Sequence, residues 1–101
     1  MSIALNLKNQ PILKIKENEI ANCTGKVVGY YDGKTILNLQ RKELAKLSEN
    51  NILNAFTNER IASVISNQIL NINNQIIGLV KGGNELEKTV AAAAFIMLQN
   101  A

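Results

Sequence analysis

ASVISNQILNINNQIIGL, residues 62–79, decides how the second half of this chain is read. Ala62, Ile65, Ile69, Ile72, Ile76 and Leu79 are separated by 3, 4, 3, 4 and 3 residues. That spacing returns each apolar residue to one side of an α-helix and has the period of a coiled-coil seam. It predicts a helix that begins near Ile52 or Thr57 and runs to about Lys81, with Thr57 or Asn58 as cap. Ile61, Leu70, Ile77 and Val80 lie outside the seam and widen the apolar face, which suits a bundle better than a lone two-stranded zipper. Two readings stay open: a helix buried within its own domain, or a seam between copies of the chain.

Downstream, Gly82-Gly83 closes this helix. Asn84 followed by Glu87 has the spacing of a capping box. A last helix from Glu85 to about Gln99 follows, and its run Val90 to Leu98 is apolar on every side. Such a helix has to be buried all round. A chain of 101 residues has little interior to hide it in, so the run is expected at a subunit interface. The expected interface comprises Ile65, Ile69, Ile72, Ile76, Leu79, Val90, Ala94, Phe95 and Leu98.

Upstream, Gln40 to Leu47 is rich in good helix formers and predicts a short helix, ended by Ser48-Glu49-Asn50-Asn51. Before residue 40 the rhythm is alternation. Ile3, Leu5 and Leu7 recur every second residue, as do Leu13 and Ile15 between Lys14 and Lys16, and both runs predict strands. Asp32-Gly33 between two apolar runs is a hairpin signal. Folding there sets Tyr30 opposite Thr35 and Val28 opposite Leu37.

The same stretch, GYYDGKT at 29–35, ends like a phosphate-binding P-loop. That motif needs a glycine five positions before Gly33, where Val28 stands, and a helix after the Thr, where a strand-like run follows. A turn fits and a nucleotide site does not.

The fold expected is one α+β domain over residues 1–101. A basic, β-rich part (1–39) forms an antiparallel sheet of three to four strands with a hairpin at Asp32-Gly33. A helical oligomerisation part (40–101) adds two to three helices. We read no internal repeat and take the abundance of Asn as compositional bias.

Composition narrows the chemistry. There is no His, one Asp and one Cys. That excludes a zinc site, a Ser-His-Asp triad and His-based proton transfer. The carboxylate pairs Glu17/Glu19 and Glu85/Glu87 read as solvated surface acids. No enzymatic activity and no cofactor are expected. Cys23 cannot form an internal disulfide, which fits a reducing compartment. The longest uncharged apolar run is nine residues, far short of the roughly 20 that span a bilayer. A soluble, cytoplasmic protein without a membrane partner is expected.

The net charge of +3 is uneven. Residues 1–47 carry eight basic against four acidic side chains, whereas residues 48–101 carry three against four. The helical part is therefore expected to associate with copies of itself, and the β part to meet a partner. The leading function is a non-catalytic homo-oligomeric interaction or assembly module, an accessory component of a larger machine, such as that of a phage or mobile element, with another protein as a further partner. The alternative is a small nucleic-acid-binding protein or transcriptional regulator that uses Lys14, Lys16, Lys26, Tyr31, Lys34, Arg41 and Lys42.

Overall fold

The structure, a computed structural model, describes residues 1–98. Strands make up most of the regular structure among these residues. The ten strands are β1 (Ser2–Leu5), β2 (Pro11–Lys16), β3 (Glu19–Asn22), β4 (Val27–Asp32), β5 (Thr35–Leu37), β6 (Glu43–Ser48), β7 (Asn51–Asn54), β8 (Arg60–Ile65), β9 (Gln68–Asn71) and β10 (Ile76–Lys81). One helix, α1 (Glu85–Leu98), follows them. Each strand pairs antiparallel with its neighbours in sequence, and β1 pairs with β10, so the sheet closes into a barrel.

The barrel is built from one hairpin repeated five times. Opposed pairs recur as Ala4 with Leu13, Ile20 with Gly29, Ile36 with Ala45, Ile52 with Ala62 and Ile69 with Gly78. Each hairpin slips register at the same place, next to Ile12, Val28, Leu44, Ile61 or Ile77. The bulge turns an extra apolar side chain toward the core, and all five pack there. The repeat is 16 residues, lengthened to 17 where the fourth loop holds one more residue.

Three rings of side chains line the bore. Ala4, Ile20, Ile36, Ile52 and Ile69 are completely buried. Ile15, Tyr31, Leu47, Val64 and Val80 form a second ring, of which Tyr31 is half-buried. The third ring is Leu13, Gly29, Ala45, Ala62 and Gly78, and it is mostly small. An eight-stranded barrel is filled by its own side chains, but ten strands leave a wider bore. Helix α1 fills it. It packs against β1, β2, β4 to β8 and β10, strands from all around the wall. Ala91 to Ala94 let the sheet approach closely, and Val90, Phe95 and Leu98 fill the remaining space; all seven are buried. Fourteen residues of helix span about 21 Å, matching the ~20 Å of a six-residue strand.

These observations correct the expected architecture. There is no three- or four-stranded sheet beside a helical bundle: residues 40–81 are strands and turns, and α1 is the only helix among the described residues. The spacing over 62–79 mixes three strands and two turns. Ala62 and Ile69 point into the bore, while Ile65, Ile72 and Ile76 are exposed and Leu79 is half-buried. A 3–4 rhythm arose because two inward strand residues (Ala62, Ile69), three outward strand residues (Ile65, Ile76, Leu79) and one loop residue (Ile72) fell into step. Gln40 to Leu47 is loop and β6, where closure of the sheet overrides helix propensity. The hairpin near Asp32-Gly33 does form, but Asp32 pairs with Thr35, so the two turn residues are Gly33-Lys34 and Tyr30 faces Leu37. In β1 the buried residues are Ser2 and Ala4 rather than Ile3 and Leu5.

The last helix forms where its cap places it. The Asn84 Oδ1 accepts the Glu87 N–H at 2.8 Å, and Glu87 Oε1 accepts the Asn84 N–H at 3.0 Å. Its apolar run is hidden by the chain's own barrel: a closed sheet wrapped round one helix supplies the interior that a layered domain of this length lacks. Among the described residues no helix is long and apolar enough to cross a membrane.

Candidate functional site

Alternating hairpins put five loops of one kind at one end of the barrel. They are residues 6–10, 22–26, 38–42, 54–59 and 71–75, and each begins with Asn. In the first, Asn6 Oδ1 accepts the N–H of Lys8 at 2.9 Å and of Gln10 at 3.0 Å. Asn22, Asn38 and Asn71 make the same pair of bonds, and Asn54 accepts from Phe56 and Thr57. Each Asn carbonyl also accepts a backbone N–H from a left-handed residue: Asn9, Gly25, Arg41, Asn58 or Asn74. One side-chain oxygen at this reach satisfies two backbone donors at once, which suits Asn to these turns. The loops are short and internally bonded, so side chains at matching positions recur around the axis.

What they present is apolar. Leu7, Leu39 and Ile72 directly follow the loop Asn, Phe56 projects from the longer fourth loop, and exposed Cys23 takes the place in the second. Phe56 is 72% exposed, the most of any large apolar side chain among the described residues. The loops also carry Lys8, Lys26, Arg41 and Lys42 against Glu59 alone, a net +3. The rest of the chain holds seven residues of each sign, so this crown carries the whole net charge of the protein. The Arg41 guanidinium lies 4.0 Å from the Tyr30 ring centre, and the Lys42 ammonium 5.3 Å from that of Phe56.

Residues 4–99 match the family of the 5-fold beta-flower protein. The chain belongs to that family. No curated protein and no solved structure matches this beta-flower. At the other end of the flower, the two-residue turns and the first turn of α1 border a cleft of ≈ 510 Å³, lined by Lys34, Leu47, Glu49, Asn50, Glu85, Leu86 and Thr89. Near it, accepting the Asn84 N–H holds the Glu87 carboxyl below its ordinary range, and the Met1 amino group at 3.3 Å adds to this. Burial pushes the Tyr31 hydroxyl up, and the charge of Glu87 adds to the shift. Among the described residues no three His, Cys, Asp or Glu side chains come together as a metal site.

The flower scatters the basic residues singled out from sequence. Lys26, Arg41 and Lys42 stand in the crown, Lys14 and Lys16 on the outer wall of β2, and Lys34 at the opposite end. Tyr31 faces the bore and packs on the core. Of the residues expected at an oligomer interface, Ile69, Val90, Ala94, Phe95 and Leu98 are buried inside the flower itself. Ile65 and Leu79 are on the wall, Ile76 begins β10, and Ile72 is a crown tip. Sequence reasoning missed Leu7, Leu39 and Phe56. The signal was present: Asn6, Asn22, Asn38 and Asn54 are 16 apart, as are Ala4, Ile20, Ile36 and Ile52.

Proposed function

We propose that the protein is a non-catalytic interaction module, a rigid drum whose five-loop end is the binding face. The observation that carries this reading is the coincidence, in the crown, of the whole net charge with four large exposed apolar side chains, Leu7, Leu39, Phe56 and Ile72. Apolar residues gathered on a surface and rimmed by charge mark interaction sites. None of these tips is needed to fill the core, which the bore-facing rings and α1 complete without them.

Self-association keeps little of its original basis, because the expected helix seam is strand and the apolar run lies inside the barrel. Pairing crown to crown would also bring net +3 against net +3. A photo-crosslinking side chain placed at 39 or 56 tests the reading in cells, with positions 34 and 65 as controls on the far end and the wall. Adducts should concentrate at 39 and 56. Equal yields at all four positions would remove the crown as the binding face.

A further inference from the structure

We infer that the crown docks on an anionic phospholipid surface; this rests on the crown being the binding face and names what it binds. The geometry is that of a ring of separate tips. Leu7, Leu39, Phe56 and Ile72 stand on four of the five crown loops, so exposed apolar tips are spread around the axis among the basic side chains of the same loops. Tips distributed round an axis can all reach one extended surface at once.

The chemistry is that of a lipid interface. Lys8, Lys26, Arg41 and Lys42 seek negative headgroups, while leucine, isoleucine and phenylalanine tips gain by entering the boundary between headgroups and acyl chains. Single-stranded nucleic acid would need several aromatic platforms for its bases, and among the described residues Phe56 is the one aromatic tip. The contact is with a surface, and no span of the bilayer is implied.

Co-sedimentation of the whole protein with vesicles tests this, using phosphatidylcholine alone and phosphatidylcholine mixed with phosphatidylglycerol. Binding should require the anionic lipid and fall steeply as salt rises. Lys26→Gln with Lys42→Gln should weaken it roughly 25-fold, at about fivefold for each charge removed. Leu39→Ser with Phe56→Ser should weaken it at least about tenfold, with an unchanged thermal midpoint because both residues are exposed.

No binding to anionic vesicles at low salt would overturn the proposal. So would unchanged affinity in the Ser variant, equal binding to neutral vesicles, or tighter binding to a single-stranded oligonucleotide. Crosslinks at 39 and 56 without vesicle binding would remove the lipid and leave the crown standing.

Discussion

Gly29 of β4 stands against Leu98 of the helix so closely that a Cβ on the glycine would lie 2.6 Å from Leu98 Cδ1 and 2.7 Å from the Leu37 carbonyl oxygen. The two neighbours differ in kind. A leucine methyl can swing aside; a carbonyl held in a closed sheet cannot. Gly29→Ala should therefore cost about 1–3 kcal/mol. Truncating Leu98 as well should recover little of it. Urea denaturation of the two single variants and the double variant checks this, and full recovery in the double variant would show that the backbone contact is not limiting.

Ile69 and Ile72 are three residues apart and would share a face of any helix. In the barrel their fates are opposite, one fully buried and the other 58% exposed. Ile69→Asp should unfold the protein, since an unpaired charge in the bore costs several kcal/mol. Ile72→Asp should leave the thermal midpoint nearly unchanged. Equal damage from both substitutions would contradict the barrel.

The loop asparagines make a graded test. Asn38→Ala removes the acceptor for the Gln40 and Lys42 N–H groups, both at 2.9 Å, and should cost about 1–2 kcal/mol. Asn38→Asp keeps the acceptor and should cost clearly less. Denaturation midpoints of the two variants, side by side, read the difference.

Turns at the opposite end contain a built-in comparison. Gly33, Glu17 and Glu49 hold the same place in successive two-residue turns, with φ of 62°, 55° and 57°. That left-handed conformation is costly for glutamate and natural for glycine. Glu17→Gly and Glu49→Gly should each stabilise by roughly 0.5–1 kcal/mol, additively, since the turns are separate. Calorimetric midpoints of the singles and the double decide it.

Two groups tie stability to pH in opposite directions. The folded-state pKa of Glu87 is lowered, so its contribution is present above the unfolded carboxylate pKa and is lost as pH falls through the folded value. The pKa of Tyr31 is raised above its ordinary 10.0, so the unfolded chain ionises first and stability falls as pH rises past that value. Glu87→Gln should flatten the acid limb of a stability–pH curve, and Tyr31→Phe the alkaline limb. A variant that leaves its limb unchanged would show that the group does not govern it.

The sequence was legible where one local signal decided one local structure. The capping box at Asn84 and Glu87, the hairpin beside Gly33 and the all-round apolar helix were each readable from a handful of residues. The architecture was not, because its information is long-range. Strands of three to six residues carry too few alternations to outvote a 3–4 rhythm. Gly29, Ala45, Ala62 and Gly78 are small for a helix that lies far away along the chain, and only the axial α1 explains them. The crown was hidden for a related reason: its apolar tips are single residues, 16 to 32 apart, and they become one surface only after the ring closes.

The axial helix also constrains how the molecule is made. On a ribosome all ten strands emerge before the segment they must enclose, and until it arrives the inner wall has only water to face. A petal released early is a hairpin with one greasy side, too small to persist unaided. The seam between the first and last strands waits on the same event. Assembly should thus be a single late step, in which insertion of the stem and closing of the corolla happen together, and a chain cut before residue 85 should yield aggregate in place of a smaller flower.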